Sequence, residues 1–390
     1  MQTITTTEDL AAYCERAAKH AYVTVDTEFL RERTYYSKLC LIQLAHPGED
    51  GPDGGEGSAV LVDPLVEGLD LAPLHALFRD PGVVKVFHAA RQDLEIFQVE
   101  ADLIPAPLFD TQVAAMVCGF GEQAGYETLA RKIAKAEIDK SSRFTDWSRR
   151  PLSEAQKVYA LADVTHLRVI YEWLAAQLKK SGRARWVAEE MAVLNDPATY
   201  RVDPTEAWQR VKTRSNSPKF IAALRELAQF REAYAQQRDV PRSRVFKDDA
   251  LVELASTRPA SEKDLGRSRL LLREARKGEI ADGILAAIDR AAKLPADQMP
   301  RAEKQRDQIQ VNPALADLLR VLLKARSEAE SVAPKLIASS ADLDALAAGE
   351  REVHALYGWR REVFGEQALA LCEGRVGLAA RGSQVVTVDL

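Results

Sequence analysis

Nowhere in these 390 residues does an apolar run reach 18 residues, so a conventional transmembrane helix is excluded. Cysteine is scarce. Cys14, Cys40, Cys118 and Cys372 are scattered and form no C-x-x-C pair, which argues against a zinc site or disulfide framework and for a reducing compartment. A G-x-x-x-x-G-K-[ST] phosphate loop is also missing, so no nucleotide-driven motor is expected. Nor is there bulk basicity: 53 Lys and Arg face 58 Asp and Glu, a net charge of −5. Local basic patches can still sit inside an acidic average. The first ten residues are polar and carry Glu8 and Asp9, unlike a signal peptide. A soluble cytoplasmic protein is expected, with no membrane association. The 46% hydrophobic content supports real cores, and the length predicts two or three domains.

Three β-rich segments open the chain: Tyr22–Asp26, Leu39–Ala45 and Ala59–Val62. Their short connections predict an antiparallel meander. The Gly-, Pro- and acid-rich stretch 46–58 predicts a long mobile hairpin tip. A helix over Leu71–Phe78, a strand over Val83–Phe87 and a helix over Ala90–Val99 then add parallel strands. The sum is an α/β domain, a mixed sheet flanked by helices. From Phe109 to about Lys180 the chain is mostly helical, and the capping box Ser153–Gln156 opens a helix running to about Leu178.

Pro197 and Pro204 bracket a linker, after which the pattern is all-helical to about Gly374. Ser217-Pro218 marks a helix start and Ser261-x-x-Asp264 a second capping box. Val240, Val245, Leu251 and Leu254 recur 92 residues later as Val332, Ile337, Leu343 and Leu346; further on, Gly278-Glu279 is matched with Gly365-Glu366. Two related helical modules follow from this repeat. The expected domains are 1–203, 204–292 and 303–376.

The chemistry gathers at three junctions. Asp26 and Glu28 are two apart at a strand end, so both carboxylates project from one face. Like charges so placed call for a divalent cation. Asp93, the second, lies in the first turn of a helix that follows a strand, and Tyr159 and Asp163, the third, at i and i+4, share a face of the capped helix. Four carboxylates and a phenol suit two Mg²⁺ or Mn²⁺ ions roughly 3.5–4 Å apart, which stabilise attacking and leaving oxygens at a phosphodiester. A phenol stays protonated at neutrality, so Tyr159 suits orienting a water better than acting as a strong base.

Asp26-Thr-Glu28, Asp93 after His88, and Tyr159-x-x-x-Asp163 resemble the three motifs of the DEDD exonuclease superfamily. Val158 stands where the histidine branch has its His, so the resemblance is to the tyrosine branch. The runs 26–36, 109–112, 125–129, 139–147 and 149–153 resemble the bacterial ribonuclease D family more closely, and the helical half resembles its paired HRDC modules, with Gly358-Trp359-Arg-Arg-Glu-Val-Phe364-Gly365 in the second. The resemblance implies a ribonuclease H-like catalytic domain and a metal-dependent 3′→5′ exoribonuclease. Its substrates would be tRNA precursors and other small structured RNAs, with release of 5′-mononucleotides. It also implies one metal on Asp26, Glu28 and Asp163, and a second on Asp26 with Asp93 acting directly or through water.

Other residues admit plainer roles. His88 and Asp110 read foremost as a structural histidine and a helix N-cap. Phe29, Tyr35 and Tyr36 are candidates for base stacking or for core packing. Arg143, Arg149 and Arg150 beside Trp147 suit phosphate contact or a solvated face. In the first helical module Arg210, Lys212, Arg214 and Lys219 cluster near Trp208, and Arg238, Arg242 and Arg244 form a second group, both candidates for RNA contact. The second module has fewer such clusters and is expected to close against the catalytic domain. A monomer is the default expectation. A fragment ending near residue 203 is expected to fold and cut short strands. The competing functions are a DNA 3′→5′ exonuclease and a non-catalytic RNA-binding scaffold; the intact carboxylates disfavour the scaffold.

Overall fold

The computed structural model describes residues 1–48, 51–139, 141–142, 145–215, 217–295, 297–300 and 311–390. Contacts group the chain into two units. One holds residues 1–28, 39–199 and 308–390; the other holds 29–38 and 200–307.

The first unit begins with β1 (Gln2–Ile4), α1 (Thr7–Ala17), β2 (Tyr22–Leu30), β3 (Lys38–Ala45), β4 (Ala59–Val62), α2 (Ala72–Arg79), β5 (Val84–Phe87), α3 (Arg91–Ala101), β6 (Leu108–Asp110) and α4 (Thr111–Val117). The strands lie in the order β1-β4-β3-β2-β5-β6. β3 and β4 run antiparallel, while β1–β4, β2–β5 and β5–β6 are parallel, giving the expected mixed sheet. Val23, Val25, Leu41, Ile42, Val86 and Phe87 are fully buried, as strands covered on both faces require. α1, β1 and β6 go beyond the sequence reading. α1 starts where the Thr6 hydroxyl accepts from the Asp9 N–H, and β1 pairs with β4 as an edge strand. The two ends of the 46–58 stretch are tied down: buried Arg168 donates to the His46 carbonyl at 2.8 Å and to the Ser58 hydroxyl at 3.0 Å.

α5 (Tyr126–Leu129), α6 (Glu154–Ser181) and α7 (Ala184–Leu194) complete the exonuclease part. Ser153 and Gln156 form the reciprocal cap that opens α6, and Gly182 closes it at φ 70°.

The second unit is built from α8 (Pro218–Arg238), α9 (Arg242–Val245), α10 (Asp248–Thr257), α11 (Glu262–Leu265) and α12 (Glu279–Lys293). Pro218 occupies the first turn of α8, and the Ser261 hydroxyl caps the Asp264 N–H of α11. The core is made by Leu224, Leu227, Phe246, Leu251, Leu254 and Ile284.

α13 (Pro313–Glu330), α14 (Pro334–Ile337), α15 (Ser340–Ala347), α16 (Gly358–Arg360), a π-turn (Arg361–Gly365) and α17 (Glu366–Cys372) repeat that order, now inside the first unit. Val245, Leu251 and Leu254 and their partners Ile337, Leu343 and Leu346 are all buried. The glycine match shifts. Gly278, at φ 69°, caps the start of α12, and the positive-φ glycine at the matching place is Gly358, at φ 55°. Gly365 instead lies inside the π-turn. An antiparallel hairpin follows, β7 (Val376–Arg381) and β8 (Gln384–Asp389), which the sequence reading did not assign.

The second helical module is held on the exonuclease part, as expected. Trp359 stacks on Trp186 of α7 with centroids 4.7 Å apart. The Trp359 indole and Arg360 both donate to Glu190, at 3.0 and 2.5 Å. Arg183 bonds Glu330 at 2.8 Å, and the Ala333 N–H reaches the Met116 carbonyl at 3.0 Å. A fragment ending near residue 203 would lose every one of these contacts.

Candidate active site

β2 delivers Asp26 and Glu28 to one face, and the i,i+4 geometry of α6 delivers Tyr159 and Asp163. Carboxylate oxygens of Asp26, Glu28 and Asp163 lie within 4.8 Å of one another. Burial, then the Asp163 charge, pushes the Asp26 carboxyl well above the usual carboxylate range. Asp93 stands outside this triad. Its buried carboxylate accepts from the Thr27 hydroxyl, and burial followed by the Asp26 charge raises its pKa. Tyr159 is half-buried and hydrogen-bonded to Asp163; burial, then Asp163, Glu28 and Asp26, raises the phenol's pKa and keeps it protonated.

Two clamps set Asp163, and neither was foreseen. The buried Thr24 hydroxyl lies 2.8 Å from the Val164 carbonyl, and the Tyr126 hydroxyl donates to the Ala162 carbonyl at 2.7 Å. The helix backbone on either side of Asp163 is thereby fixed. The available signals were a threonine in a Val-rich strand and the Gly125–Leu129 run, whose residues 125–128 line the site without having been given a role.

Asp26, Tyr159 and Asp163 line a cleft of about 360 Å³, with His88, Gln112 and Tyr126. His88 Nδ1 sits 3.0 Å from the Thr111 hydroxyl, and burial lowers its pKa despite Asp110, so a neutral ring faces the cleft. Asp110 caps α4 through the Gln112 and Val113 N–H groups, and also accepts from Ala89 and Ala90, bracing the turn before α3.

The expected RNA contacts divide. Arg150 is spent internally on Asp63 and on the carbonyls of Cys40, Trp147 and Arg149. Arg149 is exposed and pairs with Asp146. Arg143 lies outside the described residues. Within the second unit, Tyr35 donates its hydroxyl to buried Glu232, and Arg242 grips the same carboxylate at 2.5 Å while lying over the Tyr35 ring. Tyr36 packs edge-on against Tyr35, and its N–H donates to Asp239. Tyr35 and Arg242 thus hold Glu232 and each other within this unit. Phe29 is half-buried, while Arg210, Lys212, Arg214 and Lys219 are exposed. Arg238 bonds Glu279, and Arg244 is exposed. Among the described residues no helix is long and apolar enough to cross a membrane.

Convergent carboxylates beside a protonated tyrosine are a metal-dependent phosphodiester site in search of a family, and similarity supplies one. Residues 1–179 match a 3′→5′ exonuclease family model and 221–288 an HRDC domain model. Ribonuclease D of Jannaschia sp. is 62% identical, covering all of this chain and 99% of the relative. Ribonuclease D of Granulibacter bethesdensis is 50% identical over 98% of this chain and 95% of its own. The crystal structure of Escherichia coli RNase D, an exoribonuclease involved in structured RNA processing, superposes with a TM-score of 0.82 at 30% identity, covering 95% of this chain and 98% of the other. The chain belongs to the ribonuclease D family and is a metal-dependent 3′→5′ exoribonuclease of RNA processing.

Proposed function

We propose that the enzyme trims the 3′ ends of tRNA precursors and other small structured RNAs, releasing 5′-mononucleotides, with two divalent ions, Mg²⁺ or Mn²⁺. The observation that carries this reading is the convergence of Asp26, Glu28 and Asp163 within 4.8 Å beside the Asp93 carboxylate. Mutual repulsion and burial raise the cost of that cluster without a cation, and its hard oxygen donors suit these ions. Asp26, Glu28 and Asp163 would hold one ion; Asp26 and Asp93 would hold the other. Bound there, the ions supply Lewis acidity and a nucleophilic hydroxide at neutral pH.

The chain's own groups orient the reactants. Tyr159 stays protonated, anchored on Asp163, and positions the attacking water with its phenol. Thr27 fixes the Asp93 carboxylate, while Thr24 and Tyr126 fix the turn of α6 that bears Asp163. The enzyme works as a cytoplasmic monomer of three sequence modules, 1–203, 204–292 and 303–376, a division supported by the repeated element order.

The test is degradation of labelled RNA and DNA, with and without chelator, by the wild type and two variants. Asp26→Asn should abolish cleavage and leave RNA binding intact; retention of more than about a few per cent of turnover sinks the two-ion assignment. Tyr159→Phe should slow the chemical step about 10²-fold with metal affinity barely changed. A loss of metal affinity at unchanged saturated rate would remove Tyr159 from its role.

A further inference from the structure

We propose that the loop over residues 266–278 of the first helical module is an RNA-binding edge: Arg269, Arg273 and Lys277 take phosphates, and Leu270 and Leu272 pack against an unstacked base. The proposal rests on RNA being the substrate. Residues 258–277 hold seven Lys and Arg against three acids, a net +4 inside a chain of net −5. Arg269, Arg273 and Lys277 are exposed. Between them Leu270 is 51% and Leu272 39% exposed, while Leu271 is 2% exposed and anchors the loop in the core.

The display is built, not slack. Arg276 turns inward and donates to the carbonyls of Gly266, Ser268 and Leu271. The Glu253 carboxylate of α10 accepts from the Ser268 hydroxyl at 2.5 Å and from the N–H groups of Arg269 and Leu270 at 3.3 Å. The Ser268 hydroxyl in turn accepts from the Leu271 N–H at 3.0 Å. One arginine and one glutamate are thus spent on holding a tip that shows two leucines to water. Exposing two leucines two positions apart costs apolar burial, and a fixed loop shape lowers the entropy cost of binding. Cations flanking an apolar tip match a polyanion whose bases can unstack. This edge also replaces the Arg242 group, whose guanidinium is committed to Glu232.

The experiment uses the full chain in chelator, so that cleavage does not interfere. A fluorescent RNA hairpin with a single-stranded 3′ tail is titrated over a salt series. Arg269→Ala/Arg273→Ala/Lys277→Ala should bind about tenfold more weakly, and the slope of log affinity against log salt should fall by about 2, at roughly 0.7 per phosphate contact. Leu270→Ser/Leu272→Ser should weaken binding at unchanged slope. With metal restored, both variants should cut a saturating short oligonucleotide at the wild-type rate, because no group of the catalytic cleft is touched. Unaltered affinity and slope in the triple variant would overturn the proposal. So would wild-type flotation with phosphatidylserine vesicles combined with RNA affinity insensitive to the loop, which would assign the edge to a lipid surface. A wild type that binds RNA through this loop but never degrades it would defeat the nuclease reading and leave this inference standing.

Discussion

The first helical module keeps Arg242, Glu232 and Tyr35 for its own unit and leaves Arg269, Arg273 and Lys277 of its 266–278 loop in water. The second turns the matching part of its sequence toward the exonuclease part: Trp359 and Arg360 follow Gly358 as Glu279 and Ile280 follow Gly278, and both bond Glu190 of α7. One scaffold, duplicated, has one copy with a polar, cationic outer edge and another with a buried tryptophan as its anchor. The contrast teaches that repeated cores do not imply repeated roles. The buried positions Val245, Leu251, Leu254 and their partners preserve the fold, while the residues beside the paired glycines decide what each copy touches.

The largest break in this comparison comes from removing the second module. A chain ending at residue 300 loses Trp359, Arg360 and Glu330, and leaves Trp186 and Glu190 of α7 without their partners. Exposure of a buried aromatic surface predicts aggregation or loss of the cooperative transition of the first unit, read by calorimetry and light scattering. A soluble fragment melting like the full chain would make the module an ornament. Trp359→Ala asks the same question more gently. It should destabilise the first unit by about 3–5 kcal/mol, the range for deleting a buried large aromatic, as measured by denaturant unfolding.

A third prediction concerns metal and pH. Asp26 and Asp93 have folded-state pKa values raised above their unfolded ones, first by burial. Without metal, the stability linked to these groups is fully present below the unfolded carboxylate range, about pH 4, and is lost as pH rises through the raised values. A divalent ion binds only the ionised carboxylates and offsets that loss. The gain in melting temperature on adding Mg²⁺ should therefore grow from pH 5 to pH 8. A gain independent of pH would mean that the ion does not bind these two groups.

Much of the site was legible because it rests on local periodicity. Alternation along a strand pairs Asp26 with Glu28, and the i,i+4 rule pairs Tyr159 with Asp163, whatever the tertiary surroundings. The cap at Asp110 and the box at Ser153 follow from the same short-range chemistry. What escaped depends on long-range partners. Three residues at Gln2–Ile4 and three at Leu108–Asp110 become strands only because β4 and β5 offer edges. Tyr35 reads equally well as a stacking platform until Glu232, 197 residues away, takes its hydroxyl. The hairpin β7–β8 did carry a cue, Gly382-Ser383 before the β-branched run Val385–Val388, which helical composition upstream obscured.

Tyr35→Phe probes the first module as Trp359→Ala probes the second. It removes one hydroxyl from a cluster holding Glu232, Arg242 and Gln236. The expected cost is about 1.5–3 kcal/mol, as for a hydrogen bond to a charged group. It should fall on the second unit, so a probe in the first unit, such as the Trp186–Trp359 pair, should report an unchanged transition. A shift of both transitions together would show that the two units melt as one.

The paired glycines give the finest test. Gly278 sits at φ 69°, ψ −157°, a conformation essentially restricted to glycine, with nothing within 4 Å of an added Cβ. Gly278→Ala should therefore cost about 1–3 kcal/mol from backbone strain alone. Gly358 is also at positive φ, but a Cβ there would stand 2.1 Å from Glu189 Oε2. That carboxylate accepts the Trp359 N–H at 3.3 Å, so displacing it also disturbs the anchor of the second module. Gly358→Ala should thus combine strain with a contact cost, and part of that cost should vanish when Glu189 is already truncated. In a double-mutant cycle, Glu189→Ala and Gly358→Ala should couple by at least about 0.5 kcal/mol, whereas Glu189→Ala and Gly278→Ala should add independently. Equal coupling in both cycles would mean that the two glycines serve turn geometry alone, and that docking on α7 is set by Trp359 and Arg360 without the close approach at Gly358.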